Sequence, residues 1–379
     1  MDTNYPSPVK TWYTQNNTAS LGALPASIVM ALPVAFLAIV VLKPGGDSAL
    51  TWLDDWILFA AAAGAAIACF FAAMRYRGSK TGLAWGLISL GMLLMAFGEF
   101  AWGFQETVLN SEVNSPAVAD IGYLGFYPAV LLGLLLMPFA PVTGLRRAKL
   151  ALDLGVAVGA LGIISFHFVI ESLINSSGEN PLQDVITLAY PISDIALVLA
   201  ALTMVARAGR GPAKLGFIML AVGFGAIAFS DTLFAYVGEV SSYSSGAIFD
   251  LGWLIGYLLI AVAAMMAAGR RVNLDVSHED TSRPLPFLQT TILHGLIIPA
   301  GVMLFLNPNP GTDTFNVDIV VLAGFVVIVA MALLRQMLTY FDHLRIYRQM
   351  EELTLTLKHR VQEQQLRNMT SAAERRDLR

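Results

Sequence analysis

The chain has 379 residues, 56% of them apolar and 13% charged, with a formal net charge of −4. A water-soluble domain of this length needs far more polar surface, so the composition excludes one. The lone cysteine, Cys69, excludes an internal disulfide.

Residues 1–24 are read as a cytoplasmic N-terminal segment. Ten apolar segments follow, at about 25–43, 52–74, 82–105, 117–140, 149–171, 184–206, 215–237, 247–268, 287–306 and 315–335. Each can cross a hydrocarbon core of roughly 30 Å, so an all-α membrane protein is expected, with ten transmembrane helices over 25–335. The first segment lacks a small-residue cleavage site and is read as a span rather than a leader. Links after even-numbered segments carry Arg75, Arg77, Lys80, Arg146, Arg147, Lys149, Arg207, Arg210, Lys214, Arg270, Arg271 and Arg283, whereas the odd links carry Lys43. The positive-inside rule then places both termini in the cytoplasm of a bacterial inner membrane and the odd links outside.

An internal repeat runs through these segments. Asp55, Asp120, Asp184, Asp250 and Asp318 follow one another at intervals of 65, 64, 66 and 68 residues, which reads as a helical hairpin used about five times. Asp120-Ile-Gly-Tyr123 and Asp250-Leu-Gly-Trp253 match, as do Glu99 before Trp102 and Asp231 before Phe234. Each repeat aspartate is placed at the N-terminus of an even-numbered helix, where free backbone N–H groups and the helix dipole favour a carboxylate, so capping is preferred to ligation.

Capping does not explain the deeper groups. Glu99, His167 and Asp231 fall in the outer third of helices 3, 5 and 7, Asp194 near the middle of helix 6, and Glu171 one turn after His167. Charge inside a membrane is costly, so a functional role is the default. Glu99, Trp102, His167, Asp194, Asp231 and Trp253 are the candidate ligand-binding residues, expected to converge on one outward-facing cavity. The competing reading is neutral carboxyls packed between helices, with the aromatics in an interfacial belt. No metal-ligand spacing is present, although His167 and Glu171 with an added acid are chemically capable of holding a transition metal. His167 and His294 lie at opposite ends of their helices, against bis-histidine haem, and no span has an interior lysine for retinal. No cofactor is expected. Nucleotide loops, Ser/His/Asp sets and zinc-protease motifs are absent, so no catalytic centre is expected in this chain.

From Arg335 the composition turns charged and helix-forming, and 336–379 reads as a cytoplasmic coiled-coil helix. Ile346, Met350, Leu353 and Leu357 step by 4, 3 and 4 residues, a heptad seam; Val361 follows after another 4, a stutter. A seam that can shift register is a plausible two-state element. Leu357-Lys-His-Arg360-Val361-Gln-Glu363, after Tyr347-Arg-Gln-Met-Glu351-Glu-Leu353, resembles the signalling helix that joins bacterial membrane sensors to output domains. Ala189-Tyr190-Pro191-Ile-Ser-Asp194 and Asp250-Leu-Gly-Trp253-Leu-Ile-Gly-Tyr257 resemble the multi-span N-terminal sensor regions of bacterial GGDEF/EAL-type proteins; similar regions precede some sensor histidine kinases. The resemblance covers most of the chain and implies cyclic-di-GMP turnover or phosphotransfer in a domain beyond residue 379. The expected function is therefore a membrane sensor and transducer, homodimeric through its cytoplasmic helix. Its expected partners are membrane lipids and a small-molecule, lipid or peptide ligand, with no nucleic acid. The alternative is a transporter or channel, to which the intramembrane carboxylates and the helix-interior Pro128 and Pro191 also point.

Overall fold

The computed structural model describes residues 20–137, 144–166, 181–208, 212–240, 243–269, 297–302 and 319–377. Its regular elements, among the described residues, are all helical. They are α1 (Ser20–Leu42), α2 (Asp47–Arg75), α3 (Lys80–Gly103), α4 (Val118–Leu136), α5 (Gly144–Ser165), α6 (Pro181–Arg207), α7 (Pro212–Val240), α8 (Asp250–Gly269), α9 (Ile297–Val302) and α10 (Ile319–Asp377), with a π turn, Phe104–Val108, ending α3.

Seven of these are long and apolar enough to cross a bilayer: α2, α3 with its π turn, α4, α6, α7, α8 and α10. That makes the chain a multi-pass membrane protein. Large apolar side chains face outward, with Phe71, Leu93, Leu135 and Phe229 between 59% and 73% exposed, a surface suited to lipid and not to water. Ten spans were expected. The described part of α1 supplies only the shorter apolar stretch Ala31–Leu42, α5 carries Arg146, Arg147, Lys149 and Asp153 in its sequence, and α9 is described over six residues.

Six helices close into a ring. α2 packs on α3, α3 on α4, α4 on α6, α6 on α7, α7 on α8, and α8 back on α2. Exchanging α2–α4 with α6–α8 maps every one of these contacts onto another. Within the ring the pattern is therefore a three-helix unit used twice, a spacing that two successive hairpins of about 65 residues also give. Glu99 and Asp231 correspond across 132 residues, Tyr123 and Trp253 across 130, and Tyr127 and Tyr257 across 130. Between them α5 continues the chain outside the ring, packed on α6, while α1 packs outside on α8 and α2.

Small residues let the ring close. Ala62, Ala65, Ala66, Cys69, Ala72 and Ala73 form the buried stripe of α2, the composition that allows helices in lipid to approach closely. In α4, a Cβ on Gly122 would stand 2.5 Å from the Gly98 nitrogen and 2.5 Å from the Leu94 carbonyl oxygen. Only glycine fits there. Toward the end of the ring where α3 and α7 begin, Ile88, Met92, Leu197, Leu220, Phe224 and Ile260 are fully buried, and the Phe126 and Phe224 rings meet with centroids 6.3 Å apart. This end, rich in Lys and Arg, is the basic end; the other, where α2, α4, α6 and α8 begin, is the acidic end.

The longest helix is α10, which runs unbroken for 59 residues, about 90 Å at 1.5 Å per residue. Its first part packs on α5 through Ile328 and Ala332 against Val156, Ala160 and Ile163. Two ion pairs extend that contact: Arg335 Nε donates to Asp153 Oδ1 at 2.8 Å, and Lys149 Nζ to Asp342 Oδ2 at 2.7 Å. Beyond it Met350, Leu353, Leu357 and Val361 are each more than half exposed.

Candidate functional site

At the acidic end the ring opens into a cavity of about 320 Å³. It lies within the size range of small-ligand pockets. All six ring helices contribute to it, and their contributions follow from the repeat.

In the first unit, Glu99 near the end of α3 accepts hydrogen bonds from Tyr257 at 2.6 Å and Tyr123 at 3.3 Å. In the second, Asp231 near the end of α7 accepts from the Trp253 indole at 2.8 Å and from Tyr127 at 3.0 Å. Each acid is thus held by one aromatic donor of its own unit and one tyrosine of the other. Crossed bonds of this kind tie the two halves together at the cavity wall. The rim repeats the pattern: Asp120 Oδ2 accepts from the Ala117 N–H at 2.8 Å, and Asp250 Oδ2 from the Ala247 N–H at 2.7 Å.

The halves differ at one acid. Asp194 of α6 is buried and also accepts from Tyr127, at 2.8 Å. A tyrosine hydroxyl carries one proton and can donate to only one of two carboxylates. Asp194 and Asp231 can both bond Tyr127 only when one of them carries a proton of its own. In α2 the residue as far beyond Asp55 as Asp194 is beyond Asp184 is the buried Ala65.

The candidate residues distribute as follows. Glu99, Trp102, Asp231 and Trp253 line the cavity together. Asp194 is not at its surface but directly behind it, joined to Asp231 through Tyr127. His167 and Glu171 lie outside the described residues, as does Asp318. Among the repeat aspartates, Asp120 and Asp250 engage backbone N–H groups at the starts of α4 and α8, as a capping carboxylate does, and Asp184 is in the first turn of α6. Asp55 is a correction. Helix α2 starts at Asp47, because Lys43, Gly45 and Gly46 turn the chain at φ 45°, 90° and 84°; Asp55 is therefore two turns inside the helix, buried, and lines the cavity. Positive φ at successive positions is tolerated because two of the three are glycine.

Several site residues escaped sequence reasoning. Asp54, adjacent to Asp55, lines the cavity at 1% exposure, and neither of its carboxylate oxygens has a hydrogen-bond partner among the described residues. Tyr190 of α6 donates to Asp120 Oδ1 at 2.6 Å. Glu106, in the π turn, accepts from the Trp102 indole at 2.8 Å and from Ser245 at 2.7 Å. Tyr243, in the link between α7 and α8, donates to Asp250 at 3.1 Å. Burial and the nearby Asp250 and Asp54 raise its hydroxyl well above the usual tyrosine range, so it remains a donor. Tyr127 and Tyr257 each follow a repeat aspartate by seven residues, two turns down the same helical face, a spacing from which their role was readable.

Among the described residues no cluster of His, Cys, Asp and Glu has the arrangement of a metal site. Among the described residues no lysine, arginine or histidine lines the cavity. The chain matches no protein-family model, no curated protein and no solved structure.

Proposed function

We propose that the protein is a membrane sensor and transducer: the cavity at the acidic end binds a ligand from outside the cell, and α10 carries the response into the cytoplasm. The observation that carries this reading is the physical continuity between the two. Tyr190 and Asp194 place α6 in and behind the cavity wall, α6 packs on α5, and α5 holds α10 through an apolar contact and two ion pairs. A ligand that draws the crossed acids and tyrosines together shifts α6 against the rest of the ring, and α10 moves with α5. The lysines and arginines at the basic end support an orientation with that end, and α10, in the cytoplasm. The exposed seam of Met350, Leu353, Leu357 and Val361 supports pairing of two tails in parallel, with the stutter as the place where register changes. The output unit, joined to the helix or recruited by it, is of cyclic-di-GMP or histidine-kinase type on this reading, and the membrane is a bacterial inner membrane.

Transport is the second reading, favoured by one observation: two like-oriented helical units related about an axis through the ring, an arrangement also used by transporters. Against it stand the fully packed basic end, with Phe126 on Phe224, and a 59-residue helix for which a transporter has no need.

The test uses the full chain in lipid nanodiscs with Cys69→Ala and a spin label at Leu357→Cys. Two labels in one dimer give a measurable distance, and filling the cavity with Ala235→Trp is expected to change it by several ångströms. A monomer, or a distance indifferent to cavity filling, overturns the reading.

A further inference from the structure

We propose that the ligand of this cavity is an organic cation, an amine or quaternary ammonium of small-molecule size. The inference rests on the reading of the cavity as a ligand site and assigns its chemistry.

Three independent observations carry it. The first is an unanswered charge. Asp54 is 1% exposed and lines the cavity, yet neither of its oxygens has a hydrogen bond of ordinary geometry among the described residues, the neighbouring Gly246 N–H being given to Asp250 at 2.9 Å. One oxygen of Asp55 is likewise unbonded. A buried carboxyl without partners is costly, and most buried polar groups are satisfied. The complement of this corner is a group that donates or carries positive charge. The second is the sign of the wall. Asp54, Asp55, Glu99, Asp120 and Asp231 line the space, and among the described residues no basic side chain does. An anionic ligand meets only repulsion here, whereas a cation offsets the acids' mutual repulsion.

The third is the aromatic lining. Trp102, Tyr123, Tyr190, Phe234 and Trp253 present rings among the acids. Aromatic faces attract ammonium groups and tolerate their alkyl substituents, the arrangement that recognises quaternary ammonium elsewhere. A small hydrated metal ion uses oxygen ligands and gains little from rings. A cavity of about 320 Å³ is also far larger than a metal ion needs. Acids, rings and volume together select an organic cation.

The experiment compares three probes of one shape on the full chain in nanodiscs by isothermal titration: choline, its uncharged isostere 3,3-dimethylbutan-1-ol, and the anion 3,3-dimethylbutanoate. Choline is expected to bind at least about tenfold tighter than the alcohol, with the anion not binding, in line with the added charge and cation–π contributions. Asp54→Asn is expected to remove most of choline's advantage, and Glu99→Gln, which leaves Asp54 intact, part of it. Three results overturn the inference: alcohol binding as tightly as choline, choline affinity unchanged in both variants, or no binding of any probe. Sodium competing as well as choline reassigns the site to inorganic cations and overturns it too. The tail-distance measurement keeps the two readings apart. If the alcohol binds equally and still moves the tails, the sensor stands and the cation falls; if choline binds selectively and the tails do not move, the reverse holds.

Discussion

The two three-helix units share a scaffold and differ in their chemistry. Helices α3 and α4 cross at Gly98 and Gly122; α7 and α8 cross at the corresponding Ser230 and Gly252. Both units hold one acid between an aromatic of their own and a tyrosine from the other. The first unit, though, has the unpartnered Asp54 and small residues at 64–65, while the second has Asp194 and Tyr190. Close helix crossings have few solutions, so both copies retain them. A cavity wall has many solutions, and there the copies diverge. The difference separates what the ring requires from what a ligand requires.

The sharpest way to break the comparison is at the crossings. Gly122→Ala drives a Cβ into backbone on α3, which cannot give way; about 3 kcal/mol or more of destabilisation is expected, or no folded protein. At Gly252 the nearest obstacle is the Ser230 hydroxyl, a side chain. Gly252→Ala is expected to cost about 1 kcal/mol, with recovery in Gly252→Ala/Ser230→Ala. Melting of the purified protein in lipid checks both, and equal losses at the two glycines contradict the asymmetry described here.

A smaller effect is expected at the crossed tyrosines. Tyr127→Phe removes the one hydroxyl shared by Asp194 and Asp231, leaving one buried acid short of a donor and the other short of an acceptor, at about 2 kcal/mol. Tyr257→Phe deprives Glu99 of one donor while Tyr123 remains, at about 1 kcal/mol. Reversal of that order in thermal melts argues against a proton shared by the aspartate pair. The smallest change is expected from Asp194→Ala, which makes α6 resemble α2 at this depth. A buried acid without a cation contributes little net stability, so the shift should stay within about 1 kcal/mol, while the tail-distance response to cavity filling is lost. A response that persists without Asp194 removes α6 from the transmission route.

Fold class, the membrane setting and the shared depth of Glu99 and Asp231 were legible in the sequence because hydropathy and repeated motifs report them directly. The order of helices in the ring was not: a hairpin period of about 65 residues and a unit repeating at about 130 share the same markers. The Ala117–Asp120 and Ala247–Asp250 bonds show that Asp120 and Asp250 occupy like positions. Asp54 was hidden by its neighbour. A doublet of aspartates ahead of an apolar run reads as a cap, and only the turn at Gly45–Gly46 shows that the helix has already run two turns by then. The pairing of Asp231 with Tyr127, 104 residues apart, depends on which helices meet across the ring, and no local pattern encodes that. The tail seam was legible as a pattern, and the structure leaves its residues exposed.

The ion pairs between α5 and α10 make a fulcrum. Past Asp342 the helix runs on to Asp377 without a break, about 50 Å at 1.5 Å per residue. A tilt of about 5° at the fulcrum sweeps the far tip through about 4–5 Å on that geometry, nearly one helical turn. On the sensor reading proposed above, a displacement at the cavity wall too small to disturb the packed ring would be enlarged, through leverage, to the scale of one helical turn at the tip of α10.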